Sequence, residues 1–160
     1  MYRLLSTLPI AFLALFTLGT MTACATLYQQ SPTTYEGLTL SHNLPEEDMR
    51  AITKTVLHEA GYEVREEDGR FVTDARRMSL TQKEADCGKT MGVYHVDNDA
   101  TVIYVTMDAR FEPDAVIFRS DIRGAFRKDD PLEGQSFKCE STGAMERELS
   151  AAVRAKVEGE

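Results

Sequence analysis

Thr101-Val102-Ile103-Tyr104-Val105-Thr106-Met107-Asp108-Ala109-Arg110-Phe111, the turn Glu112-Pro113-Asp114, and Ala115-Val116-Ile117-Phe118-Arg119-Ser120-Asp121-Ile122-Arg123-Gly124-Ala125-Phe126 make up the longest β-patterned stretch of the chain. Alternation puts Ile103, Val105, Met107 and Phe111 on one side, together with Val116, Phe118, Ile122 and Phe126 from the second run. Asp108, Arg110, Arg119, Asp121 and Arg123 take the other side, where opposite charges can pair across strands and remain in water. An antiparallel pair with one apolar face needs a cover, and amphipathic helices are the common solution.

Two helices flank this stretch. The first has Pro45 at a first-turn position, Glu46, Glu47 and Asp48 at the positive end of the dipole, and Gly61 as its stop, with Met49, Ile52, Val56 and Ala60 as one stripe. In the second, Thr142 is the expected cap and Met145, Leu149, Ala152, Val153 and Val157 the stripe. Before the first helix, Gly37–Ser41 alternates as a short strand; after it, Asp68-Gly69 fits a two-residue type I′ turn. That turn would pair Tyr62–Glu66 with Arg70–Ala75, putting Tyr62, Val64, Phe71, Thr73 and Ala75 inward. Residues 76–89 read as a polar, mobile connection, and a further strand is expected at Gly92–Val96, turning at Asp97-Asn98-Asp99 into the central stretch. The expectation is an α+β domain over residues 37–160: an antiparallel sheet of about four to six strands with two helices packed on one face.

Upstream of that domain, Arg3 precedes an uncharged apolar run from Leu4 to Leu18, which ends in Met21-Thr22-Ala23-Cys24. Small residues directly before a cysteine make this segment resemble a bacterial lipoprotein signal. The resemblance implies a diacylglyceryl thioether on Cys24, cleavage before it and acylation of the new amino group. Residues 1–23 would then be the signal peptide and 24–36 a lipid-anchored tether, able to reach at most about 40 Å. Ala25 in place of aspartate implies sorting to the inner leaflet of the outer membrane, facing the periplasm. Two other readings stay open: an uncleaved membrane helix, since Leu4–Ala23 is about the twenty residues a span requires, and a signal cut elsewhere that leaves Cys24 free. Several acyl chains would hold the protein durably, because each buried CH₂ contributes about 0.8 kcal/mol.

With Cys24 assigned to lipid and the domain exported, Cys87 and Cys139 remain as an even pair in an oxidising compartment, which reads as a disulfide. On the chain-entropy model it would contribute roughly 4 kcal/mol and tie the C-terminal helix to the middle of the chain. A metal or redox pair is the competing reading, without Cys-x-x-Cys spacing or an adjacent histidine to support it.

The full chain has a formal net charge of −8, and losing residues 1–23 removes only Arg3. Such an acidic balance argues against nonspecific binding to nucleic acid or to an anionic headgroup surface. Chemistry-bearing motifs are few. Asp97-Asn98-Asp99 begins like a calcium loop, but Val102 stands where the turn needs glycine, so a hairpin turn is expected and no metal. His42, His58 and His95 are expected on a loop, a helix and a strand, without ligand spacing. There is no Gly-x-Ser-x-Gly elbow and no glycine-rich phosphate loop. Arg119, Arg123 and Arg127 with Lys128 could meet an anionic partner, since a guanidinium binds carboxylates and phosphates bidentately. A sheet face solvated by its own Asp108, Asp121, Asp129 and Asp130 explains them as well.

The sequence thus leads to an outer-membrane-anchored lipoprotein that serves as a binding or accessory module toward another envelope protein. Neither catalysis nor any cofactor beyond the covalent lipid is expected. The element order is similar to small lipoproteins of the outer-membrane protein and lipopolysaccharide assembly machineries in architecture only, and fold analogy does not establish function. A carrier holding a lipid or small apolar ligand between sheet and helices, and an envelope hydrolase, are the alternatives from other classes.

Overall fold

The computed structural model describes Tyr28–Gln29, at the level of the backbone, and residues 35–159. In chain order its elements are β1 (Tyr28–Gln29), β2 (Leu38–Ser41), α1 (Glu46–Glu59), β3 (Val64–Glu67), β4 (Arg70–Thr73), β5 (Arg76–Met78), β6 (Ala85–Asp86), β7 (Lys89–Thr90), β8 (Val93–Tyr94), β9 (Thr101–Glu112), β10 (Ala115–Phe126), β11 (Ser136–Ser141) and α2 (Ala144–Gly159). The class is α+β, as expected, but the main sheet is larger. It has eight strands in the order β3-β4-β9-β10-β11-β6, with β5 also pairing β9 and β2 also pairing β10. A separate three-stranded sheet is ordered β1-β7-β8.

β9 and β10, 12 residues each, pair along their whole length across the Pro113-Asp114 turn. Their inward side chains follow the alternation, and Val105, Val116 and Ile122 are fully buried, with Phe118 and Met107 at 1% exposure. Both helices cover this face. Met49, Leu57 and Val153 close the middle of the layer, and hollows of about 320 and 290 Å³ remain at its margins, one lined by Val56, Tyr62, Met78, Met145 and Leu149 and the other by Leu40, Met49 and Val157.

Several local expectations are corrected. Ala60 and Ala152 are exposed rather than buried, and α1 and α2 instead bury Thr53 with Leu57, and Glu146 with Ser150. The 64–73 hairpin forms with Asp68 at φ 51° and Gly69 at φ 76°, but Ala75 lies exposed beyond its end. Residues 76–89 are integral to the sheet: β5 pairs β9, β6 pairs β11, and Leu80, Ala85 and Cys87 are core residues. The strand expected at 92–96 shrinks to Val93–Tyr94 and pairs β7, while His95–Asp97 forms a 3-10 turn, so Asp97, Asn98 and Asp99 end that turn and enter a connection to β9 and do not make a hairpin turn. Thr142 does not cap α2; its hydroxyl donates to the Lys83 carbonyl, and Gly143 supplies the carbonyl that accepts the Arg147 N–H.

The Cys87 and Cys139 sulfurs lie 2.04 Å apart, at bonding distance. Cys139 belongs to β11 and Cys87 directly follows β6, so the bond staples two neighbouring strands rather than reaching from the C-terminal helix. Within the stretch expected to be a tether, Tyr28 and Gln29 pair with Thr90 and Lys89. Cys24, the signal segment 1–23 and most of 24–36 lie outside the described residues. Among the described residues no helix is long and apolar enough to cross a membrane.

The edges of the central hairpin share one peculiarity. β4 and β5 pair β9 at 108–110 and 103–105, leaving a gap at 106–107. β2 and β11 pair β10 at 115–118 and 122–125, leaving a gap at 119–121. Ser120 and Met107 face each other in register, and both direct their N–H outward into the gaps. Each is met by a side chain: the Met107 N–H donates to Thr73 Oγ1 at 2.9 Å, and the Ser120 N–H donates to Glu146 Oε1 at 3.0 Å.

Candidate functional site

The solvent face of β9 and β10 brings together two of the three expected arginines, Arg119 and Arg123. A groove of about 470 Å³ runs across it, lined by Arg70, Asp108, Arg119, Asp121, Arg123 and Lys138, with Tyr35 among its remaining residues. Strand alternation places Arg119 and Arg123 on the same face, four residues and about 13 Å apart along β10. Arg123 is held by Asp121 at 2.8 Å and Lys138 approaches Glu140 at 3.7 Å. Asp108, in register with Arg119, is engaged by Arg70 at 2.9 Å. Arg119 is exposed and forms no ion pair among the described residues, which leaves its guanidinium available to a carboxylate or phosphate from outside. Burial raises the Asp108 pKa above the ordinary carboxylate range, and the neighbouring Arg70 and Arg119 offset only part of this.

Arg127 does not join this group. Its N–H donates to the Ala100 carbonyl at 2.7 Å, and its side chain borders a separate hollow with Arg77, Asp97 and Asp99. The cationic face therefore consists of Arg119 and Arg123 with Arg70 and Lys138. Arg70 was legible as an outward residue of the first hairpin, whereas Lys138 stood in the run 131–141 where only the cysteine had signalled anything. The short alternation Phe137, Cys139, Ser141 marks β11 once its inward positions are known.

Below the groove lies a polar junction that the sequence did not reveal. Glu146 is fully buried in the first turn of α2, and besides the Ser120 N–H it accepts from Ser120 Oγ at 2.6 Å and, through Oε2, from Ser141 Oγ at 2.9 Å. Ser141 Oγ accepts in turn from the Gly143 N–H at 3.0 Å. The carboxylate thus substitutes for a missing strand partner and fastens the start of α2 to β10. Charge-assisted hydrogen bonds to three donors compensate its desolvation.

The histidines stay apart. His42 contacts the Leu44 carbonyl through Nδ1 at 3.1 Å, and His58 is exposed on α1. His95, 2% exposed, is packed against Phe126 and Phe137, with Nε2 3.0 Å from Thr90 Oγ1. Desolvation lowers its pKa below the ordinary imidazole value. These three rings border an apolar hollow of about 440 Å³ at the end of the sheet. Among the described residues no three histidine, cysteine or acidic side chains are placed to hold a metal ion.

No protein-family model, no curated protein and no solved structure matches the chain.

Proposed function

We propose that the protein is an outer-membrane-anchored periplasmic lipoprotein, held through lipid on Cys24, whose α+β domain is a binding or accessory module for another envelope protein and performs no catalysis. The observation that carries the binding part is Arg119: an exposed guanidinium without an ion pair among the described residues, in a groove whose other cations are neutralised by Asp108, Asp121 and Glu140. Exposed ion pairs contribute little to folding, so this charge pattern is better accounted for by recognition than by stability. The partner surface that fits is acidic, presenting carboxylates to Arg119 between the flanking pairs. The buried side-chain cluster that occupies the middle of the layer between sheet and helices favours this reading over a carrier of lipid held there. The three hydrogen bonds that occupy Glu146 favour a structural carboxylate over a catalytic one.

A photo-crosslinking residue at Tyr104, 42% exposed on the same face, should capture the partner in living cells. In the Arg119→Ala/Arg123→Ala double variant the domain should fold as before and the captured species should be lost. Capture at the wild-type level would overturn the groove assignment. The anchor is tested separately by fatty-acid labelling: incorporation should be abolished by Cys24→Ser, and an equal label in that variant would overturn lipidation at Cys24.

A further inference from the structure

We propose that the tip of the β7–β8 hairpin inserts into the membrane leaflet that carries the anchor. The inference rests on the lipoprotein reading and adds a second, non-covalent contact to it.

Among the described residues, three of the four large hydrophobic side chains that are exposed lie on this one hairpin: Met91 at 81%, Val93 at 53% and Tyr94 at 39%. Met91 and Gly92 form its two-residue turn at φ 51° and 82°. Asparagine, aspartate or glycine ordinarily fill the first place of such a turn, as Asp68 does in the first hairpin. An apolar side chain there, with positive φ and most of its surface in water, gains nothing from the domain's own packing. The stretch Gly88-Lys89-Thr90-Met91-Gly92-Val93-Tyr94-His95-Val96 contains no carboxylate, in a chain with 26 acidic residues. The Lys89 ammonium sits 5.6 Å from the Tyr94 ring, and an apolar tip flanked by tyrosine and lysine is the composition that prefers the water–lipid boundary.

The register of β1 directs this tip to the membrane. Tyr28 pairs with Thr90 and Gln29 with Lys89, antiparallel, so the chain enters β1 from the side where Met91 and Gly92 lie. Only residues 25–27 separate Cys24 from Tyr28, a distance of at most about 14 Å even when fully extended. A lipid on Cys24 therefore brings the hairpin tip against the bilayer surface, with Met91 and Val93 free to enter the headgroup–acyl boundary.

The chain has no tryptophan, so a single introduced indole reports its own surroundings. The full-length lipidated Met91→Trp and Tyr104→Trp proteins would each be placed in phosphatidylethanolamine–phosphatidylglycerol vesicles carrying brominated acyl chains. Emission of the Met91→Trp protein should shift to the blue and be quenched at least twofold more than that of Tyr104→Trp. Equal quenching of the two, or none, in protein whose mass shows lipid on Cys24 overturns the hairpin contact and leaves the anchor standing. Absence of that lipid from the mass of the same preparation overturns the anchor and the hairpin contact together.

Discussion

The two edges of the central hairpin meet the same difficulty with different chemistry. On the β9 side, the outward N–H of Met107 is satisfied by Thr73, a neutral hydroxyl at 1% exposure that belongs to the adjacent strand. On the β10 side, its register partner Ser120 is satisfied by Glu146, a buried carboxylate brought in by a helix remote in sequence. A hydroxyl carried by the next strand closes a gap locally, at small desolvation cost. A carboxylate from α2 closes it by binding one layer of the fold to the other, and requires several donors to offset the burial of its charge. The cystine also lies on the β10 side, whereas the cationic groove spans both edges, with Arg70 and Asp108 on the β9 side and Arg119, Arg123 and Lys138 on the β10 side.

The comparison predicts unequal sensitivity at the two edges. The largest effect is expected from the paired Cys87→Ala/Cys139→Ala variant, which opens a loop of sequence separation 52 on the β10 side. Loss of about 4 kcal/mol follows from the chain-entropy model, measured as a fall in the denaturation midpoint against oxidised wild type. Next comes Glu146→Ala, which leaves the Ser120 N–H and two hydroxyls without their acceptor and should cost about 3 kcal/mol in urea unfolding. Glu146→Gln, which keeps acceptor oxygen in place, should recover part of that loss; equal destabilisation by both would break the account of the carboxylate as a hydrogen-bond hub.

On the β9 side Thr73→Val keeps the shape and removes the acceptor for Met107, a change expected to cost about 1–2 kcal/mol, whereas Thr73→Ser should cost less. If Thr73→Val proved as damaging as Glu146→Ala, the two edges would be energetically alike and the contrast would fail. The smallest effect concerns pH. Burial raises the folded pKa of Asp108, so between the ordinary carboxylate pKa and the raised folded value the folded state holds more of this proton than the unfolded chain. Stability from this group is present below the ordinary carboxylate pKa and is lost as pH rises from there through the raised folded value. Asp108→Asn should flatten this part of the stability–pH curve, and an unchanged slope would show that Arg70 and Arg119 neutralise the burial fully.

Where the sequence was informative, a repeating pattern made it so. The alternation from Ile103 to Phe126 specified both faces of the central hairpin, and the spacing of Met49, Ile52 and Val56 specified the covering side of α1. Strands of two or three residues carry too little periodicity to announce themselves, which is why β5, β6 and the short β8 were misjudged. Outward arginines were legible from the same alternation that gave the core, so Arg119 and Arg123 fall together while Arg127, one residue past the end of β10, does not. Glu146 and Thr73 were invisible for another reason. Their roles depend on where two neighbouring strands stop short of meeting, a property of the assembled sheet that neither local propensity nor spacing encodes.

The cystine links Cys87 to Cys139 and therefore encloses β9, β10 and the exposed stretch 127–135 in one covalent ring. A protease that cuts once within that stretch divides the backbone but releases no fragment while the bond is oxidised. The nicked molecule stays in one piece, heavier by the one water of hydrolysis, retains the ladder between β9 and β10, and falls into two pieces only after both denaturation and reduction. While the bond stays oxidised, surface damage is thereby converted from loss of the domain into a silent break.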